Sequence, residues 1–315
     1  MRTISQGTAD YVAMKKAMGF SFYSQDMKLK NFCNFMKMQK QKKITLELAK
    51  IWALSGVKKP TWGHAKNLSI LRAFAVYWKT IDPKTELWPE NIWPIRYKRK
   101  NPYIYTNEEI QLLLRTCDEL RPLESLRPLT FSTLFGLIAT CGLRLSEAVT
   151  LQKSDVDLKN GVITIKRTKF NKMRIIPIDQ TTVKILIKYE LAREKFCKEY
   201  LSHHVRSTLF FISNDETPIS NGVADWTFDK IALKCGVRKE SRRGPRLHDL
   251  RHTFVVRTLE DWYRQGKNVE VFLPILSTYV GHSQPGSTYW YMSITPELMS
   301  LASERMDQYM GGLTQ

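Results

Sequence analysis

Acidic residues are scarce in this sequence. Thirty Asp and Glu stand against 49 Lys and Arg in 315 residues, giving a formal net charge of +19 and a pI near 9.7. So strong a deficit points to a polyanionic partner, and neither the clustered carboxylates of a metal-dependent nuclease nor a His-hydrophobe-His triad is present. Cysteine is sparse and unpatterned: Cys33, Cys117, Cys141, Cys197 and Cys235 are odd in number and form no Cys-x-x-Cys pair. That excludes a disulfide frame and a zinc ribbon, and fits reduced, buried thiols in a cytoplasmic protein. No charged-then-apolar leader opens the chain. Its most apolar run, 129–143, is too short and too rich in hydroxyls to span a bilayer. No amphipathic anchor or lipidation signal turns the positive charge towards a membrane surface. A phosphate-cradling glycine loop and an internal repeat are also missing. The pair His203-His204 has no partner at ligand spacing, so we expect no metal and no cofactor.

What is present is a folded chain, 43% hydrophobic and 11% aromatic, long enough for two domains. The charge is uneven: residues 1–105 carry net +14 and residues 106–315 net +5. Residues 1–95 read as a helical DNA-binding domain. A short helix over 10–18 ends at Gly19, and a broad apolar face over 24–40 holds Met27, Leu29, Phe32, Phe35, Met36 and Met38. Thr45 and Thr61 open two further helices. Between these apolar stripes lie Lys37, Lys40, Lys42, Lys43, Lys58, Lys59, Lys66 and Arg72, which we assign to DNA phosphates. Residues 96–105 form a basic linker. Pro83, Pro89 and Pro94 precede it, and Arg96, Lys98, Arg99 and Lys100 are expected to lie along a duplex backbone.

From 106 to 315 the pattern is that of a second domain. Thr106 and Glu109 make a capping box. Residues 129–150 predict a buried helix, a break at Cys141-Gly142 and a second helix from Arg144, which places that arginine beside free helix-start N–H groups as an anion site. Val162–Ile165 and Arg174–Ile178 predict a β-hairpin around the basic turn Thr168-Lys169-Phe170-Asn171-Lys172. A helix over 181–200, a short strand over 209–212 and a helix over 221–235 follow. Arg242 and Arg243 then stand just before Leu247-His248-Asp249-Leu250-Arg251-His252, Val280-Gly281-His282-Ser283 and Ser287-Thr288-Tyr289-Trp290-Tyr291. Imidazole, guanidinium and phenol in this density can hold a phosphate and attack it.

In this order the blocks resemble the tyrosine recombinases, which include phage-type integrases, Xer-like resolvases and transposon recombinases. Gly142-Leu143-Arg144-Leu145-Ser146-Glu147 is similar to the family's first-arginine block, the hairpin to its lysine block, His248-x-x-Arg251 and Gly281-His282 to the next two. Tyr291 falls nine residues past His282, the usual place of the nucleophile. Two positions stay open: thr168 and Phe170 stand where the family usually has glycines beside its lysine, leaving Lys169 or Lys172, and Tyr289 competes with Tyr291. The resemblance implies a mainly α fold with a small β-sheet: an all-helical core-binding domain and an α+β catalytic domain ending in a helix. It also implies the catalytic set Arg144, Lys169, His248, Arg251, His282 and Tyr291. Arg144 and Arg251 would clasp the phosphate, His248 would assist deprotonation of Tyr291, and His282 would bond a phosphate oxygen. Lys169 would protonate the leaving 5′ oxygen, with Glu147 in support. The implied reaction cuts and rejoins double-stranded DNA through a 3′-phosphotyrosine, without metal or ATP. It would run in a homo-tetramer, or a hetero-tetramer with related recombinases, and accessory DNA-bending proteins are possible partners. The helix from Thr295-Pro296-Glu297 is expected to dock on a neighbouring subunit, with packing on its own domain as the alternative. A type IB topoisomerase and a DNA-binding regulator with a decayed site are the rival readings.

Overall fold

The computed structural model describes residues 2–96, 100–166, 173–200, 207–239, 244–282, 284 and 286–312, with side chains to 307. The chain divides into two compact units, Met1–Lys100 and Asn101–Gln315.

Among the described residues of the first unit four helices form on apolar stripes, α1 (Ile4–Ala17), α2 (Tyr23–Met38), α3 (Leu46–Leu54) and α4 (Trp62–Lys79), and all but α2 open on a threonine cap. Helix α1 begins earlier than the apolar pattern suggests, because Thr3 and Gln6 make a capping box. Thr45 Oγ1 accepts the Leu48 N–H at 3.3 Å and starts α3. Leu29, Phe32 and Met36 from α2 meet Trp52 and Ala49 from α3, and Leu68, Leu71, Phe74 and Trp78 from α4, all buried. The stripe on α2 is narrower than its composition implies. Met27 and Met38 lie off the Leu29–Phe32–Met36 line and face solvent.

The second unit runs α5 (Asn107–Cys117), α6 (Arg127–Cys141), α7 (Leu145–Val149), β1 (Val156–Asp157), β2 (Val162–Ile165), β3 (Arg174–Pro177), α8 (Gln180–Tyr200) and α9 (Asn221–Lys234). It continues with α10 (Leu247–Arg264), α11 (Val269–Val280), the short α12 (Gly286–Tyr289), a 3₁₀ turn (Trp290–Ser293) and α13 (Pro296–Gly312). This is the mainly helical architecture with a small sheet that the sequence implies. The Thr106–Glu109 box is made in both directions, at 3.2 and 2.8 Å. Buried α6 is the hub, packed by α5, α8 and α10. The sheet is antiparallel in the order β1-β2-β3, with Ile163 opposite Ile176 and Ile165 opposite Arg174. Its period of two turns Ile163, Ile165, Arg174 and Ile176 inward and leaves Ile175 exposed.

One expectation is corrected, and one open choice is narrowed. Residues 209–212 form no strand: only isolated bridges, Gln152 to Leu209 and Ile212 to Pro218, involve them. Phe210, Phe211 and Ile212 are all buried in succession, so the segment fills core on both sides instead of alternating along a ladder. Helix α13, expected on a neighbour, packs on α10 of its own chain. Leu298 is fully buried in the cluster of Val255, Val256, Leu259 and Leu273, and Glu297 pairs with Arg264. Leu298 thus covers one side of α13 within its own unit, while Met299 and Met306 on the same helix stay exposed.

Candidate active site

Two helix ends build the floor of the site. Helix α6 terminates at Gly142 and α11 at Gly281, both in the left-handed conformation (φ +60° and +69°). The backbone carbonyls around these termini carry the negative ends of their helices, and they are spent on two arginines. Arg251, in the second turn of α10, donates Nη1 to Gly142 O and Nη2 to Val280 O, each at 2.6 Å. Arg144, at the start of α7, donates Nη2 to Gly281 O. Arg251 is 2% exposed. Burial first, and then the Arg144 charge, pull its pKa down to about 10, which still leaves it cationic at neutral pH.

Glu147 supplies the counter-charge. Its buried carboxylate accepts Arg144 Nη1 at 2.8 Å and both terminal nitrogens of Arg174, at 2.9 and 2.6 Å. Burial alone would raise this carboxyl, but the hydrogen bonds and charge of Arg174, and the backbone and side chain of Arg144, outweigh it and hold the group below the usual range. Arg174 is anchored again by Nε to Tyr279 O at 2.9 Å. The carboxylate therefore fixes two guanidiniums from α7 and β3 beside a third from α10.

Tyr291 sits in the 3₁₀ turn, 1% exposed, its hydroxyl 2.6 Å from His252 Nδ1. The His282 ring stacks on it (6.1 Å, 14°) and bonds Thr288 Oγ1 through Nδ1 at 2.7 Å. Tyr289 is 53% exposed. His248, one turn before His252, lies edge-on to it with ring centres 4.7 Å apart. His248 is an exposed residue, but enough chain surrounds the ring that lost hydration leads in lowering its pKa to about 4. The charges of Arg251, Arg246 and Arg144 add to this, and Asp249 opposes it. His248 is thus neutral at pH 7.

Arg144, Glu147, Arg251, His282 and Tyr291 are drawn into one linked cluster, and His248 joins it through His252. Lys169 and Lys172 lie outside the described residues, as do Lys98, Arg99, Arg242, Arg243 and the His203-His204 pair. Lys37, Lys40, Lys42, Lys43, Lys58, Lys59, Lys66, Arg96 and Lys100 are exposed. Arg72 differs: it is half-buried and donates to Trp88 O at 2.7 Å and Glu90 Oε1 at 2.9 Å, so its charge is used within the first unit. Among the described residues no three His, Cys, Asp or Glu side chains are grouped to hold a metal, and no helix is long and apolar enough to cross a membrane.

Two residues of the cluster were not singled out from sequence. Arg174 carried a signal: it is an arginine on the inward phase of a strand otherwise made of Ile and Pro. His252 had one too, four residues past His248 and so on the same helix face.

Known proteins place these features in context. Residues 104–297 match the model of the phage integrase family. The chain is 36% identical to a putative integrase/recombinase, y4rB, of Sinorhizobium fredii, over 98% of both chains. It is 28% identical to the tyrosine recombinase XerC of Thermodesulfovibrio yellowstonii, over 84% of this chain and 83% of that one. Among solved structures, the Tn1549 transposon integrase in complex with a circular intermediate DNA superposes with a TM-score of 0.65 at 16% identity, covering 97% of this chain and all of that one.

Proposed function

Because the chain belongs to the phage integrase family, we propose that it is a site-specific recombinase that cuts and rejoins double-stranded DNA through a 3′-phosphotyrosine, serving the integration, excision or resolution of a mobile element. The observation that carries this reading is the single cluster of a buried phenol, three guanidiniums and three imidazoles. Arg144 and Arg251 keep further N–H groups on nitrogens already aimed by backbone carbonyls, so the guanidiniums are oriented before a phosphate reaches them. Charge-assisted bonds of this kind strengthen as negative charge grows on the oxygens in the transition state. Tyr291 is the nucleophile, His282 the neighbour that bonds a phosphate oxygen, Lys169 the acid for the departing 5′ oxygen, and Glu147 the residue that orients the arginines. His248, neutral at pH 7, is the group assigned to assist deprotonation of Tyr291. Tyr291 and Arg251 are covered in the DNA-free chain, so engagement of DNA has to uncover them. The phosphotyrosine conserves the phosphodiester energy, and a 5′-hydroxyl of a second duplex reverses the attack without ATP.

The first unit, with the linker at 96–105 and the exposed lysines on either side of α3, is the clamp for the duplex. The active assembly is a tetramer of this chain, or of this chain with related recombinases, on two sites. A two-site assay tests the reading: a supercoiled plasmid with two copies of a duplex selected for binding is resolved into two products. Relaxation of the plasmid with no exchange of the flanks would favour a topoisomerase instead.

A further inference from the structure

We infer that Lys28 and Asn67 together read a guanine in the DNA site, through the N7 and O6 acceptors of its major-groove edge. The inference deepens the proposed function and rests on the first unit being the part that clamps the duplex. The two side chains come from α2 and α4, 39 residues apart, and meet where those helices pack, with Lys28 Nζ donating to Asn67 Oδ1. An ammonium carries donors only, so this bond fixes which way the amide points. Oδ1 is turned to the lysine, and the Asn67 NH2 is the end left for a ligand. Among the described residues nothing else bonds that NH2, and no carboxylate pairs with Lys28. Both residues are half-buried, held by the helices without being covered.

The charge around the pair has the same sign. Lys66 precedes Asn67 on α4, sits 5.1 Å from the centre of the Trp62 ring, and lies within electrostatic range of Lys28. Burial first, and then that neighbouring charge, hold the Lys28 pKa below its ordinary value. Two ammoniums placed together without a carboxylate repel each other in the free protein, and acceptor atoms relieve that repulsion. Of the four bases, guanine alone offers two acceptors side by side in the major groove, whereas adenine sets an amino donor beside its N7. A lysine and an amide that both present N–H groups match guanine and oppose adenine. The major groove admits a helix, and here two packed helices carry the pair, so its placement does not depend on a loop. Lys66 is left for a phosphate beside that base.

Duplexes with a randomised arm are selected on the full wild-type chain. Affinity for the selected duplex and its single-base replacements is then measured with wild type, Lys28→Met, Asn67→Ala and Asn67→Asp. The Asp variant keeps an acceptor for Lys28, and so holds the two helices together, but puts a carboxylate oxygen where the amide donors were. Thermal unfolding checks that each variant is folded. The inference expects one selected guanine whose replacement by adenine or 7-deazaguanine weakens wild type about 10- to 100-fold, and each variant less than about threefold. Variants that keep every wild-type base preference would overturn it and leave the pair as a clip between α2 and α4. Equal weakening at all positions with a shallower salt slope would also overturn it, since Lys28 would then contact only phosphate. A wild type that prefers no sequence would strike the proposed function itself, and the inference with it.

Discussion

Glu147 and Arg174, 27 residues apart, meet as a two-pronged ion pair in which both carboxylate oxygens receive a guanidinium nitrogen, at 2.9 and 2.6 Å. Arg144 shares the same carboxylate, so the pair sets the position of an arginine that we assign to the phosphate. Removing Glu147 strands the buried Arg174 guanidinium, and removing Arg174 leaves the buried carboxylate to Arg144 alone.

Arg174→Ala is therefore expected to destabilise the second unit by about 3–5 kcal/mol and to slow adduct formation through misplacement of Arg144. Urea unfolding of wild type and variant measures the first effect. An unfolding midpoint unchanged by the substitution would remove Arg174 from this role.

The same carboxylate gives a pH dependence. Its folded pKa is depressed, so its contribution to stability is fully present above the unfolded value, near 4.5, and is lost as pH falls through the folded value. Glu147→Gln should lie well below wild type in stability at pH 7, and the gap should narrow below about pH 4.5. His248 acts over a different window. Its folded value near 4 lies below the ordinary 6.5, so the unfolded chain binds the proton first and stability falls as pH drops from 6.5 towards 4. His248→Asn should flatten that slope between pH 6.5 and 4, as read by unfolding midpoints across the range.

Gly281 admits no side chain. A Cβ there would stand 2.7 Å from Arg174 Nη1 and 3.1 Å from Arg144 Nη1, in a backbone conformation with φ +69°. Gly281→Ala should cost about 1–3 kcal/mol from overpacking and should lower the adduct rate more than DNA affinity, because it displaces the two guanidiniums. Paired binding and single-turnover measurements distinguish the two effects.

Neutralising Lys37, Lys40, Lys42 and Lys43 together to Gln tests the clamp. These side chains are exposed on and just after α2. If each contacts a phosphate, the slope of log affinity against log salt becomes shallower by about 0.9 per contact, roughly 3 to 4 in all. A slope equal to wild type would place the duplex elsewhere.

Truncation after Ser293 removes Leu298 from the cluster on α10. We expect the monomer itself to lose stability, by about 2–5 kcal/mol for the equivalent loss of a buried leucine. A truncated chain as stable as wild type would return α13 to the role of a helix held by a neighbour.

Local signals made much of this legible in the sequence. The Thr106–Glu109 box, the Gly142 break before Arg144 and the alternation of β2 and β3 each depend on residues within a few positions of one another. The contacts that build the site do not. Gly142 and Val280 meet at Arg251 across 109 and 29 residues, and His252 meets Tyr291 across 39. A motif places such residues in one active site but does not say which imidazole faces which oxygen. The resemblance assigns the phenolic proton to His248, and only the folded chain adds that the His252 imidazole lies beside the same phenol. Likewise, a stripe of apolar residues on α13 announces a helix that must be covered without saying by what; α10 covers Leu298 and leaves Met299 and Met306 exposed.

The choice of Tyr291 over Tyr289 is the centre of the account, because one is buried among the histidines and the other is half-exposed. Wild type, Tyr291→Phe and Tyr289→Phe are incubated in chelator with a nicked duplex carrying a selected site, and covalent protein–DNA adduct is quantified on a denaturing gel. The account predicts adduct with wild type and Tyr289→Phe, and none with Tyr291→Phe. Adduct that persists in Tyr291→Phe and vanishes in Tyr289→Phe would contradict it.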